Sequence, residues 1–404
     1  MAAQQFDYQQ LFSKNSRVGA RSTFPRPKYD FAVAYPDPDT LPLEGLAQSL
    51  KVALEREGAD LAYYPHTAGL LSLRQLVADK LARDRNMKVS ADHVVLTSGS
   101  GEAISMLIQA LTDPGDVVLT EEFFYVGTLR QMRRHDADVV GVKCDRQGII
   151  PQELESVLKD QLGRGKKVKY LYTIPTFQNP LGWTMTLERR QQVLDIARRY
   201  GVPIFEDDCY VDLRFEGDDV TSFYSLDQAG DQNGDDTGQV VYTGSFSKIL
   251  APGMRMGYLV APGEVLDRAM SFKGGGGVNQ FAALAIEQYL KDNMYQHIEE
   301  ENRALRVKRD AMVASLGENF GGAATWEVPQ GGLYVWLEMP EGIDLEAFQE
   351  QSFKEGVGYY NGAMFSPSGQ GKNMARLCFG YPSADTVYQG VAELARIFQR
   401  HGLL

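Results

Sequence analysis

Two textures of apolar residues divide this chain. From His93 onward, short β-type runs alternate with runs of helical spacing: HVVLT then GEAISMLIQAL, DVVLT then FYVGTLRQMRR, ADVVGV then PQELESVLKD, VKYLYTIP then TLERRQQVLDIARRYG. VPIFED follows, and later QVVYTG and MGYLVA. Such alternation predicts an α/β fold, a sheet with substantial parallel content and covering helices. Several strand runs are continuously apolar, as burial on both faces requires. Before this body lie two helical runs: Leu43–Glu57, with Leu46, Leu50, Val52 and Leu54 near one face and Gly58 ending it, and Leu70–Asp84 after a Tyr63–Pro65 loop. After it, a long helical region of roughly Val278–Leu316 leads to a different pattern: TWEV, LYVWLEM, DLEAFQEQSFKEG, ARLCFG and a closing helix near Ala384–Arg400. That second pattern predicts a smaller α+β domain joined by the N-terminal segment. The expected division is residues 1–45 as that segment, 46–300 as the large domain and 301–404 as the small one. The acidic, Gly/Asn/Gln-rich stretch between Tyr224 and Gly238 reads as an exposed connection.

Composition narrows the partners. With 404 residues and 44% hydrophobic content, the chain can bury large cores. A formal charge of −12 argues against a general nucleic-acid or anionic-membrane binder and leaves small molecules. Cys144, Cys209 and Cys378 are far apart and odd in number, which gives neither a disulfide framework nor a zinc spacing, and no metal site is expected. A reducing, cytoplasmic setting follows. No export signal is visible at the N-terminus, and nowhere do about 18 apolar residues run together, so no membrane segment is expected.

Candidate chemistry gathers in four loops of the α/β body, where the carboxyl ends of parallel strands place ligands. YTGSFSKILAPGMRMG sets one amine, Lys248, among hydroxyls, glycines and apolar residues, with Ser245 and Ser247 beside it and Arg255 beyond a Pro-Gly. Lys248 is either a solvated loop charge or a desolvated Schiff-base nucleophile. Thr97–Glu102 is a Gly/Ser turn before a helix, which serves as ordinary capping or as a phosphate cradle. Asn179 precedes a proline and is a turn former or a hydrogen-bonding amide turned away from the chain. Glu206, Asp207 and Asp208 follow an apolar strand, where adjacent carboxylates need a compensating cation, a metal or solvent; no histidine stands near for the metal. Gly274–Gly277 is a flexible loop or backbone brought close to a ligand.

Lysine, anion cradle, carboxylate and phenol donors together are the parts that pyridoxal 5′-phosphate chemistry needs. On SFSKILAPGMRMGY, NPLG, EDDCY and ARLCFG, in that order, the chain resembles fold-type I aminotransferases of class I/II, in the branch of 2-aminoadipate and kynurenine aminotransferases and MocR effector domains. The resemblance runs from about Phe31 to the C-terminus. It implies an aspartate aminotransferase-like fold, with a mostly parallel seven-stranded sheet covered by helices on both faces plus a small domain. It implies that Lys248 holds the cofactor as an aldimine and acts as base, that Asp207 pairs with the ring nitrogen, and that Asn179 and Tyr210 bond the ring hydroxyl oxygen. Ser100, the Gly101 N–H, Ser245, Ser247 and Arg255 would bind the phosphate, and Tyr125 would stack on the ring. Arg376, helped by Asn179, would hold the substrate carboxylate; Tyr63 would reach the phosphate of a partner subunit, implying a homodimer with shared sites.

The chain departs from that pattern at Ala34-Tyr35-Pro36, at Gly101 and at Asn361-Gly362; Tyr35, Tyr359, Tyr360 and Gly274–Gly277 fall where the substrate side is shaped. The expected activity is transfer of an amino group from an L-amino acid to a 2-oxo acid. The alternatives are elimination, replacement or carbon–carbon bond formation on the same fold, and a non-catalytic effector module. The stretch before Phe31 is too short for the winged helix that such a regulator carries.

Overall fold

A computed structural model describes residues 7–13, 26–229 and 238–404. Its main sheet has seven strands: β1 (Val94–Thr97), β2 (Val117–Glu121), β3 (Asp138–Val142), β4 (Val168–Thr173), β5 (Ile204–Asp207), β6 (Val240–Ser245) and β7 (Gly257–Val260). Their spatial order is β1-β7-β6-β5-β4-β2-β3, all parallel except β7, which runs against both its neighbours. β1, β2, β5, β6 and β7 are buried along their whole length, as the continuous apolar runs predicted.

Register places the site. Gly257 of β7 sits opposite both Thr97 and Ser245, so the carboxyl ends of β1 and β6 meet the chain just as it enters β7 from Arg255. Asp207, the last residue of β5, lies opposite Thr243 of β6, one strand over.

Helices α1 (Leu43–Glu57), α2 (Leu71–Arg85), α3 (Ser100–Leu111), α4 (Val126–Arg134), α5 (Pro151–Gly163), α6 (Leu187–Tyr200), α7 (Phe223–Gln228) and α8 (Gly263–Met270) surround the sheet. Local chemistry sets their ends. Thr186 Oγ1 accepts from Arg189 N at 3.3 Å to open α6, and Gly201, at φ 63°, closes it in the left-handed conformation. The connection expected after Tyr224 begins instead inside α7, where the Ser222 hydroxyl caps the helix; residues 230–237 of it lie outside the described residues.

α9 (Gln280–Asn319) is a single 40-residue helix that packs on α1 and on the closing helix, and it runs through residue 300 without a break. Beyond it, β8 (Thr325–Trp326), β9 (Tyr334–Glu338), β10 (Tyr360–Asn361) and β11 (Met374–Cys378) form an antiparallel sheet of order β8-β9-β11-β10. α10 (Leu345–Lys354) and α11 (Ala384–Arg400) complete this smaller domain. In α11, Val387, Val391, Leu394, Ala395 and Phe398 recur at helical spacing and are buried. In the N-terminal segment, Tyr29–Asp30 pairs in parallel with Val357–Gly358.

Candidate active site

A cavity of about 520 Å³ opens at the carboxyl ends of β1, β5 and β6, between the main sheet and the smaller domain. It gathers Tyr35, Ser100, Gly101, Tyr125, Asn179, Asp207, Tyr210, Ser245, Ser247, Lys248, Arg255 and Arg376 along one wall or another. Of the residues given a cofactor contact by the resemblance, Tyr63 stands outside. It is 79% exposed on the loop after α1.

Lys248 is half-buried, and its Nζ donates to the Ala34 carbonyl at 3.0 Å while lying 5.7 Å from the centre of the Tyr210 ring. Burial pushes the amine down to about 8; Arg376 and Arg255 push the same way, against Cys209 and Cys378. A desolvated amine of lowered pKa is chemically suited to nucleophilic attack.

The three adjacent carboxylates diverge. Glu206 accepts from the backbone N–H groups of Phe223 and Tyr224 at 3.0 and 2.9 Å, and Asp208 Oδ2 accepts from Arg85 Nη2 at 3.2 Å. Only Asp207 faces the cavity. Its Oδ2 accepts from the Tyr172 hydroxyl at 2.5 Å, and its Oδ1 is buried without a hydrogen-bond partner. Burial raises its pKa, with the Cys209 and Tyr172 side chains working against the rise. A buried, unpaired carboxylate oxygen turned toward a cavity calls for a donor from a bound molecule.

Asn179 links the two domains: its Nδ2 donates to the Tyr210 hydroxyl at 3.0 Å and its Oδ1 accepts from Arg376 Nη1 at 2.8 Å. Arg376 Nη2 donates to the Ala32 carbonyl at 2.5 Å, its Nε has no partner, and its guanidinium lies 4.8 Å from the Tyr334 ring centre and 4.9 Å from that of Phe365. The arginine is thus fixed by an amide, a carbonyl and two aromatic faces, with donor capacity to spare.

Opposite lies an anion cradle. α3 begins at Ser100 with free N–H groups, the Ser245 Oγ accepts from Ser247 N at 3.1 Å, and Arg255 Nη2 donates to the Ser98 carbonyl at 3.1 Å. Backbone fits tightly here. Gly99 has φ 76°, and a Cβ on it would lie 2.8 Å from Arg255 Nη2; a Cβ on Gly257 would lie 2.7 Å from Gly99 C and from Ser100 N. Cradle, unpaired Asp207 oxygen and desolvated amine fit a molecule carrying a phosphate at one end, a protonated ring nitrogen at another and an aldehyde between.

Several groups at or behind the cavity wall carry no mark in the sequence. Tyr172 holds Asp207 from inside β4; Gln131 donates to the Gly101 carbonyl at 3.3 Å; Cys209 and Arg130 also line the cavity. Tyr172 sits two residues before Ile174 on a strand whose alternation gave no hint of a polar target. Of the residues assigned to the substrate side, Tyr35 and Tyr360 line the cavity, whereas Tyr359 points into the small domain, fully buried, donating to the Leu345 carbonyl at 2.8 Å. The reason is strand alternation: neighbours in sequence face opposite ways. Gly274–Gly277 does not line it either, and Gly277 packs against Pro65 and His66.

A sequence model described as aminotransferase class I and II matches residues 33–391. The chain is 32% identical over 363 residues to aromatic-amino-acid aminotransferase 1 of Thermococcus litoralis, covering 89% of this chain and 85% of that one. Among solved structures, the multiple substrate aminotransferase of Thermococcus profundus superposes with a TM-score of 0.90 at 29% identity, covering 98% of this chain and 99% of that one. The α-aminoadipate aminotransferase of Thermus thermophilus, complexed with N-(5′-phosphopyridoxyl)-L-leucine, gives 0.89 at 28% identity over 99% of this chain and 100% of its own.

Proposed function

This chain belongs to the class I and II aminotransferases and uses pyridoxal 5′-phosphate to move an amino group from an amino acid to a 2-oxo acid; we propose that Lys248, Asp207, Asn179, Tyr210 and Arg376 carry the reaction. When bound, the cofactor supplies an aldehyde and an electron-withdrawing ring that stabilises negative charge at the substrate Cα. Lys248 Nζ would anchor the cofactor and then take the Cα proton as base, since its lowered pKa keeps a useful fraction neutral near pH 8. Asp207 Oδ1, buried and without a partner, would accept from the ring nitrogen and keep it protonated. Asn179 Nδ2 and the Tyr210 hydroxyl would serve the ring oxygen, while Ser100, the Gly101 N–H, Ser245, Ser247 and Arg255 would hold the phosphate. Tyr125, at the start of α4, would cover the ring face. Arg376 binds the substrate carboxylate with its unused donors, held in orientation by Asn179 Oδ1, and Tyr35 closes the same side.

The single observation behind this assignment is the convergence of a desolvated lysine, an unpaired buried aspartate oxygen and a clamped arginine on one cavity. It is tested with Lys248→Ala and a panel of amino acids. The native chain should lose its amino-acceptor capacity after one equivalent when no 2-oxo acid is supplied; the variant should transaminate about 10²–10⁴-fold more slowly and give no borohydride-fixed mass at residue 248. Sustained ammonia release without a 2-oxo acid would instead indicate elimination.

A homodimer with shared sites is part of the proposal. Tyr63 and Tyr64 are exposed, their loop adjoins Gly277, and Phe281 is exposed just beyond, so aromatic surface is concentrated there. Among the described residues no helix is long and apolar enough to cross a membrane, and Cys144, Cys209 and Cys378 are free thiols, which fits a reducing cytoplasmic compartment.

A further inference from the structure

Four cations line the active-site cavity: Lys248, Arg255, Arg376 and Arg130. The first three have assigned partners in the amine, phosphate and carboxylate chemistry just described. Arg130 has none. It is exposed at the rim, and among the described residues no carboxylate or hydrogen-bond acceptor engages its guanidinium. The only acidic residue lining the cavity, Asp207, lies deep within it and is turned to the ring site.

Its position points to the substrate side. Arg130 lies on α4 five residues beyond Tyr125, and one turn further on the same face Arg133 Nη2 donates to the Pro367 carbonyl at 3.0 Å. That face of α4 therefore looks at the small-domain segment 360–368. Within this segment, Tyr360 pairs with Arg376 across β10 and β11, and Tyr360 and Arg130 both line the cavity. An amino acid held by its α-carboxylate on Arg376 would extend its side chain past Tyr360 toward the rim.

Resting on the proposed function, we propose that Arg130 is a specificity-determining residue that binds the distal carboxylate of dicarboxylic amino acids and 2-oxo acids. A guanidinium suits this task, because it pairs with a carboxylate through two parallel hydrogen bonds and stays charged at any working pH. In the absence of that carboxylate it remains hydrated at the rim, which leaves the cavity open to side chains that pack on Tyr35, Tyr125 and Tyr360 instead.

The test compares native holoenzyme with Arg130→Gln and Arg130→Lys on L-glutamate and its uncharged isostere L-glutamine, and measures glutarate and butyrate binding by calorimetry. The ratio of kcat/KM for glutamate over glutamine should fall by about 10-fold or more in Arg130→Gln, mainly through KM, and be partly kept in Arg130→Lys. The ratio of glutarate to butyrate affinity should fall in parallel. Equal losses on both substrates, an unchanged ratio, or weakened binding of pyridoxal 5′-phosphate with the ratio intact would overturn the assignment, the last by giving Arg130 to the phosphate. Calorimetry needs no turnover, so a chain that fails to transaminate any pair sinks the proposed function while the binding ratio still decides the role of Arg130.

Discussion

Lys248 shows how one residue carries both reactivity and a stability cost. Burial lowers its pKa from the ordinary 10.5 to about 8, so in the free protein the folded state disfavours the cation. Below about pH 8 both folded and unfolded chains hold the proton and the cost is in full force; between about 8 and 10.5 only the unfolded chain holds it, so this group's contribution to stability improves as pH rises through that window. The neutral amine grows over the lower part of the same range. Capture of pyridoxal 5′-phosphate by the apoprotein, followed by stopped-flow absorbance, should therefore quicken as pH rises through about 8 and then level off; a rate already flat below neutral pH would contradict a burial-tuned lysine. Tyr172 acts one residue further back. Its hydroxyl donates to Asp207 at 2.5 Å, beside the Cys209 side chain, so Tyr172→Phe leaves a buried carboxylate with less support and should lower the stability of the apoprotein by about 1.5–3 kcal/mol in urea unfolding, while weakening cofactor retention. An unchanged midpoint would mean that another donor replaces it.

At the level of elements, the cradle is a product of strand order. β7 enters between β1 and β6 and runs against both, and this reversal brings the Ser98–Gly101 turn, Ser245–Lys248 and Arg255 to one edge of the sheet. Gly257 is the point of closest approach. Gly257→Ala would force a Cβ against the backbone of Gly99 and Ser100, and backbone cannot swing aside as a side-chain end can. The expected cost is about 1–3 kcal/mol of stability, with a larger loss of affinity for the phosphate end of the cofactor than for substrate, read by thermal unfolding and by cofactor titration. Two exposed glycines, Gly163 and Gly253, have open space at the same position and serve as controls.

For the whole molecule, the site lies on a seam. Arg376 belongs to β11 of the small domain, Asn179 to the loop after β4, and the backbone carbonyls of Ala32 and Ala34 to the N-terminal segment; hydrogen bonds of 2.5–3.0 Å tie all of these together. Arg376→Ala would remove this joint as well as the proposed carboxylate ligand. Assembly adds a further level. Light scattering should give a mass about twice 44.9 kDa, and Tyr63→Phe should weaken cofactor binding about 10-fold although Tyr63 lies outside the cavity of its own chain. A monomer with unchanged affinity would dissolve both the dimer and the shared site.

Much of this protein is written locally. Hydrophobic runs and their spacing determined the α/β body, the long helix and the change of pattern after it, because burial on both faces of a strand or one face of a helix leaves its period in the chain. Lys248, Asp207 and Arg255 could be singled out for the same reason: each breaks its local texture with a charge that packing does not explain. The tertiary structure alone decided which of three adjacent carboxylates faces the cavity, that Tyr360 and not Tyr359 lines it, that Tyr172 supports Asp207, and that Arg130 stands at the rim. Those choices depend on strand register and on contacts between residues far apart in sequence, such as the 197 positions separating Asn179 from Arg376, and no local pattern carries that information.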